Sequence, residues 1–300
     1  MKRGLALLVP LLGLGELFAH LARDRAPEPE EWKDSAALVD RLWRPGSLIV
    51  VAPRWAEPLA RFALGERMPL KDVARADESG YPDAVELSIL GEAAPELAGW
   101  KETATASEGP FRVRRLVPPR PVSVLYRALE HVNAAALSVE TSLGERTETC
   151  AFVEGARVTS GGLGGAVTAP SNRFQCPDDL RLFVGVTAID GPDYRPRLCL
   201  HARPPRGGTL RLRFRDVPLG KTIVGYAGSS YLLGRASTNF VSVTLRAGDS
   251  ASVQRFRDAD GLRRFEVDTA ASAGHTSEVA FEITGSHARD ADFCLIWETR

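Results

Sequence analysis

A chain of 300 residues with 44% hydrophobic content has room for two domains, each with a packed core of its own. Its 38 basic and 38 acidic side chains cancel, so it lacks the electrostatic footprint of a nucleic-acid binder. Its five histidines (His20, His131, His201, His275, His287) share no metal-ligand spacing, and no Gly-x-Ser-x-Gly elbow or His-Glu-x-x-His motif occurs.

The chain opens with Lys2 and Arg3, then an apolar run from Leu5 to Ala22, interrupted by Pro10, Gly13, Gly15 and Glu16, then Arg23-Asp24-Arg25. A bilayer core takes about 20 apolar residues in a helix, so the run is just long enough to span one. Cleavage would need small residues at −3 and −1. His20/Ala22 has a bulky −3, and Asp24/Ala26 is followed by Pro27. Residues 1–25 therefore read as an uncleaved signal anchor, with a cleaved signal peptide or a buried helix as the alternatives. Lys2 and Arg3 favour the inside, which places the bulk of the chain on the periplasmic side of the inner membrane as a single-pass protein.

Ala26–Pro29 is a short linker. Trp32, Ala36, Val39 and Trp43 then fall at helical spacing, and Arg44-Pro45-Gly46 stops that helix. Ser47–Ala52 is a continuous apolar run, the pattern of a strand buried on both faces. A second helix is predicted over Trp55–Leu64, with Trp55, Leu59 and Phe62 on its packed face and Gly65 as its stop. Val85–Leu90 alternates as a strand, and Trp100–Ala106 with Phe111–Val117 forms a hairpin around Ser107–Pro110. After Pro118, Pro119 and Pro121, a short helix runs through Leu125, Leu129 and Val132. Residues 30–131 thus read as a small α/β domain.

From there the texture changes. Short β-rich runs recur at Ala136–Thr141, Leu182–Ala188, Thr209–Phe214, Val241–Leu245, Arg264–Val267, Glu278–Ile283 and Phe293–Trp297. Leu210, Leu212 and Phe214 alternate with Arg211, Arg213 and Arg215, a strand with one wet face. Such spacing predicts an antiparallel β-sandwich, jelly-roll-like, over residues 132–300. The fold class expected is α+β multidomain: an N-terminal anchor helix, the small α/β domain and the sandwich.

Four cysteines, Cys150, Cys176, Cys199 and Cys294, lie in this second half, and their spacing matches no zinc site. In an exported chain an even count reads as disulfides. Three connectivities are open. Cys150–Cys176 with Cys199–Cys294 is preferred, the first closing a glycine-rich loop and the second tying an early strand to the last one. Four buried free thiols are the alternative if the chain is not exported.

The segment Trp43–Pro53 (WRPGSLIVVAP), preceded by a tryptophan-containing helix, resembles the extracytoplasmic tail of multi-spanning bacterial membrane glycosyltransferases. In those tails a W-x-P-G-D-x-V-V-V strand follows the last membrane span; Ser47 stands here in place of the Asp. The resemblance covers roughly residues 30–65. The catalytic parts of those enzymes lie in membrane loops with no counterpart here, so it implies a detached accessory domain. The second half resembles, in fold alone, the jelly-roll modules that accompany carbohydrate-active proteins.

Several polar groupings are candidates for chemistry. Gly220-Lys221-Thr222 lacks the upstream glycine of a phosphate-binding loop, because Arg215 stands there, and reads as a turn. Ser160–Gly165 is dense in glycine and reads either as an anion cradle or as a loop passing close to other backbone. Asp190, Asp193, Tyr194, Arg195 and Arg197 form the best constellation: two carboxylates on a rigid turn, a ring for stacking and two guanidinium donors. They suit sugar hydroxyls or Ca²⁺; a plain Asp-capped turn is the alternative. Tyr226 and Tyr231 offer further stacking surface or fill the core. Arg54 and Trp55 follow the buried strand at the end where open α/β sheets bind ligands, and a sheet-packed Trp is the simpler option.

These features point to a non-catalytic, membrane-anchored module that binds envelope glycan or another envelope component, with no cofactor, no resident metal and no nucleic-acid partner. An extracytoplasmic hydrolase or transferase is the alternative and needs two carboxylates about 5–10 Å apart; Asp178, Asp179, Asp190 and Asp193 are its clustered candidates. A scaffold docking a membrane protein is the third reading.

Overall fold

The computed structural model describes residues 26–73, 75, 77–159, 167–177, 181–190, 196–229, 240–285 and 293–300. The apolar run within residues 1–25 lies outside them. Among the described residues no helix is long and apolar enough to cross a membrane. The chain divides into one unit of residues 1–72 and 77–122 and a second of residues 73–76 and 123–300.

The first unit contains α1 (Trp32–Asp40), β1 (Leu48–Ala52), α2 (Glu57–Leu64), β2 (Ala84–Ser88), β3 (Lys101–Glu108) and β4 (Phe111–Val117). Its sheet runs β1-β2-β4-β3, with β1 and β2 parallel and the other pairs antiparallel. Pro45 and Gly46 occupy the two central positions of a tight turn closed by the Ser47 amide on the Arg44 carbonyl at 2.9 Å. Gly46 takes φ +90°, which a side chain would resist. That turn aims LIVVA into the sheet, and all five residues of β1 are buried. Leu48, Val50 and Ala52 pack with Ala84, Ala94, Leu97 and Leu116, while the alternate residues face the other side. Trp32 of α1 meets Phe111 edge-on at 5.1 Å.

The second helix departs from its expected orientation. The chain makes a 3₁₀ turn at Arg54–Ala56 before α2 begins. Ala56, Ala60 and Leu64 are the buried apolar residues here, and Glu57 is buried with them. Trp55 and Phe62, expected inward, are 57% and 86% exposed. Small alanines let the helix approach β1 closely, which leaves the bulkier stripe outside.

Glu86 on β2 is fully buried. Its carboxylate accepts from Nε of Arg114 at 2.6 Å and from the backbone N–H of Ala94 at 2.7 Å. A buried charge survives only when paired and hydrogen-bonded in this way.

The second unit is a two-sheet antiparallel sandwich, as its sequence texture predicts. Its strands are β5 (Tyr126–Arg127), β6 (Leu137–Leu143), β7 (Arg146–Thr149), β8 (Ala151–Val153), β9 (Arg173–Gln175), β10 (Phe183–Asp190), β11 (Pro196–Ala202), β12 (Thr209–Pro218), β13 (Thr222–Ser229), β14 (Phe240–Ala247), β15 (Ser250–Arg257), β16 (Arg263–Asp268), β17 (Thr276–Gly285) and β18 (Phe293–Thr299). The larger sheet runs β16-β13-β18-β11-β10-β9-β8, with β5 on β18; the smaller runs β15-β14-β17-β12-β6-β7. Every run singled out as β-rich in residues 132–300 lies on a strand. The strands with no such run are β5, β7, β8, β9, β15, β11, which Pro196 and Arg197 open, and β13, which Gly225 and Gly228 interrupt.

Leu210, Leu212 and Phe214 point into the core, while Arg211 faces out and donates to Glu282 at 3.3 Å. Trp297 lies within 5.0 to 5.4 Å of Phe214, Phe281 and Tyr126. The segment expected as a helix through Leu125 and Val132 is instead β5 followed by a 3₁₀ turn at Ala128–His131. Tyr126 stacks on Trp297, so the division between units falls near residue 122, earlier than the 131 expected from sequence.

The cysteines pair as Cys150–Cys176 and Cys199–Cys294, spanning 26 and 95 residues. Gly220 has no room for a Cβ, which would strike the backbone of Arg300, and Thr222 and Arg300 exchange both backbone hydrogen bonds at 3.1 and 2.9 Å. The Gly-Lys-Thr turn therefore joins β12 to β13 against the end of the chain.

Three outcomes are expected. Arg114→Ala strands the Glu86 carboxylate and costs about 3–5 kcal/mol of unfolding free energy in urea titration, as for other broken buried pairs. Replacing Cys199 and Cys294 together by Ser frees a long loop and lowers stability by roughly 4 kcal/mol, and added reductant then lowers that variant further only through the Cys150–Cys176 bridge. Burial pushes the Tyr126 phenol up from 10.0 to about 12. The folded chain thus holds its proton more tightly than the unfolded chain does. This contribution is complete below pH 10 and is lost as pH rises through about 12. The Tyr126 hydroxyl has no hydrogen-bond partner, so Tyr126→Phe should match or exceed the parent at neutral pH and show a shallower alkaline decline in the same titration.

Candidate functional site

Which residues can meet a ligand on the sandwich follows from strand alternation and register. Residues two apart on a strand share a face, and paired residues on neighbouring strands share it too. Tyr226 pairs with Ile296 and Arg264, Gly228 with Cys294, and Val224 with Glu298 and Glu266. Across β18, His201 pairs with Cys294; on the next strand pair, Thr187 opposes Cys199 and Ile189 opposes Arg197. Arg197, Tyr226, Ile189, Ile296, Glu298 and the Cys199–Cys294 bridge therefore all belong to the outer face of the larger sheet. The core face carries Ile223, Ala227, Leu295 and Trp297.

Parts of this outer face are covered. The Thr187 hydroxyl donates to the Thr168 carbonyl at 2.8 Å, and a Cβ on Gly185 would strike the Pro170 ring. Val167, Leu262 and Ile296 pack on Ile189, Cys199 and Cys294. The Gly261 backbone passes so close over Gly228 that only glycine fits. Between these two covers runs a half-exposed strip containing Tyr226, Ile296 and Arg197. Tyr226 and Arg197 stand on the two strands that flank β18, β13 and β11; β11 pairs with β18 at Leu200 and His201, and further along Arg127 of β5 stands beside Glu298. The strip is bordered by ion pairs: Glu298 with Arg300 at 2.6 Å and with Arg127 at 3.7 Å, and Arg264 with Glu266 at 2.7 Å.

In chemical terms the strip combines an aromatic ring, an aliphatic floor stiffened by a disulfide and a guanidinium, with carboxylates held in place by arginines. It is suited to holding a neutral polar molecule that has one apolar face. Among the described residues no group of His, Cys, Asp and Glu is arranged to hold a metal ion.

Of the residues singled out from sequence, Arg197 and Tyr226 thus share one face. Asp190 is the last residue of β10, at the mouth of the connection to β11. Asp193, Tyr194, Arg195 and Tyr231 lie outside the described residues, as do Ser160–Gly165, Asp178 and Asp179. Arg54 and Trp55 belong to the first unit. They occupy the turn at the carboxyl end of β1 as expected, with Arg54 paired to Glu96 at 3.1 Å. Sequence reading missed Ile189, Ile296 and Glu298. For Ile296 and Glu298 the signal was the alternation in FCLIWET, legible only once β18 is known to lie mid-sheet.

No family model matches the chain, and no curated protein matches its sequence. Among solved structures it is similar to the CBM51-2 and INT domains of ZmpB from Clostridium perfringens, at 8% identity and a TM-score of 0.27. That likeness covers 54% of this chain and 37% of that one.

Proposed function

We propose that the chain is a membrane-anchored, extracytoplasmic module without catalytic activity, which binds envelope saccharide or a related envelope component on the outer face of its larger sheet. The observation that carries this reading is that Tyr226 and Arg197 both belong to the half-exposed outer face of the larger sheet, on the two strands that flank β18. A ring that stacks and a guanidinium that donates are the two elements a sugar needs, and their shared floor is rigid. Asp190, Asp193, Tyr194 and Arg195 precede Arg197 in the sequence and Tyr231 follows β13, and they are proposed as further ligand contacts. The two disulfides support an oxidising compartment. The apolar run of residues 5–22, flanked by Lys2 and Arg3, supports the anchor and an outward orientation.

The test is capture of saccharides from a detergent extract of the host envelope on the immobilised, oxidised full chain, read by mass spectrometry. Retained saccharide, weakened about tenfold by either Tyr226→Ala or Arg197→Ala, is the expected result, since one lost hydrogen bond or stacking contact is worth about 1 kcal/mol or somewhat more. Equal retention by both variants removes the strip from the site. A saccharide whose mass changes during incubation replaces this reading with an enzyme.

A further inference from the structure

The helix α2 has apolar residues on both sides. Its inner side, Ala60 and Leu64 with Ala56 ahead of it, is buried, and α2 packs on α1 and β1. Outside that packing stand Leu59 and Phe62 of α2 and, in the 3₁₀ turn that leads into it, Trp55. Leu59 is half-buried; Trp55 at 57% and Phe62 at 86% exposure stand in solvent. Leu70, in the next 3₁₀ turn, is also exposed. Scattered single hydrophobics need no explanation, but an exposed aromatic pair on one short segment does. An amphipathic helix needs one partner, and a helix apolar on both sides needs two.

Two observations identify the second partner. The apolar run of residues 5–22 ends ten positions before Trp32. Even a fully extended connection of that length reaches only about 35 Å, so if the run enters a bilayer, the first unit is held close to its surface. Charged groups flank the stripe: Arg61 lies in α2 and Lys71 follows it, Arg54 is paired to Glu96 at 3.1 Å and Arg67 to Asp40 at 2.6 Å, and Glu66 and Asp72 lie among them, while Glu57 is buried. Tryptophan and phenylalanine beside arginine and lysine is the composition of a helix that lies in the headgroup region of a membrane. The short tether makes docking intramolecular, so a weak surface suffices.

We infer that α2 and the turn that leads into it dock on the lipid bilayer, with Trp55 and Phe62 inserted among the headgroups and Arg61 beside them against anionic lipid. The inference rests on the anchored reading above and assigns the first unit to the membrane surface. The partner is a bilayer containing anionic phospholipid; a second copy of the chain is the rival occupant.

The test uses the purified full chain reconstituted into vesicles of phosphatidylcholine and phosphatidylglycerol with brominated acyl chains, which quench tryptophan on contact. None of the five tryptophans lies in residues 1–25, so quenching reports on the folded units alone. Quenching that disappears in Trp55→Phe, which keeps an apolar ring but removes the reporter, is the expected result. Phe62→Ser should lower the quenched fraction of the parent Trp55, and omitting phosphatidylglycerol should lower it further. A chain that floats with the vesicles after an alkaline wash yet shows no Trp55 quenching overturns the docking inference and leaves the anchor intact. A chain that neither floats nor quenches overturns both. Quenching without resistance to the wash removes the anchor and supports α2 as a membrane surface in its own right. A mass in solution that halves in Phe62→Ser, with Trp55 unquenched, assigns the stripe to a second copy and overturns the inference.

Discussion

The sandwich depends on the packing of Trp297 between its sheets. Its ring sits on β18 of the larger sheet and meets Phe214 and Phe281 of the smaller one, with Tyr126 of β5 against it as well. An indole buries roughly 200 Å², worth about 5 kcal/mol at the usual coefficient. This contact lies three residues from the end of the chain. The pairing of this central strand with β13 and β11 links segments far apart in sequence. Such long-range pairing implies slow folding compared with helical proteins of similar size.

From that inner packing the outer face follows. Because alternate residues of β18 fill the core, the others, Cys294, Ile296 and Glu298, must face outward. The same parity fixes Tyr226 and Arg197 beside them. A one-residue slip in any of these strands would reverse the two faces. The Cys199–Cys294 bridge joins the outer sides of two adjacent strands, so it holds the register that the core packing selects. The half-exposed strip is in this sense a consequence of how the core is filled.

The first unit is governed by a different constraint. Strands β1 and β2 of its small sheet are buried throughout, and the sheet encloses a carboxylate, Glu86, that no apolar neighbour can satisfy. Arg114 and the Ala94 amide supply the partners, which ties β2 to β4 and to the loop that precedes the hairpin. Alanines at positions 56 and 60 bring the helical segment close to β1. The aromatic stripe left outside is the residue of that choice, and it is where this unit has surface to offer a partner.

Much of the architecture was legible in the residues themselves. The LIVVA run, the Pro-Gly turn before it, the alternation in LRLRF and the dense spacing of short β-rich segments each follow from local rules that hold without knowledge of neighbours. The pairing of cysteines was among three that the sequence left open, and the sandwich brings together the preferred set. Local rules failed where a segment's fate depended on what it touched. In α2 the larger side chains formed the better apolar stripe, yet close packing against β1 favoured the smaller ones. The segment at Tyr126 carried a helical spacing, yet stacking on Trp297 drew it into a sheet. β13 looked like a loop because of Gly225 and Gly228, but those glycines are required by the Phe265 ring and the Gly261 backbone that press against them. Periodicity in the chain determines which residues are apolar together; only the tertiary structure decides which face they turn to, because burial depends on the shape of the partner.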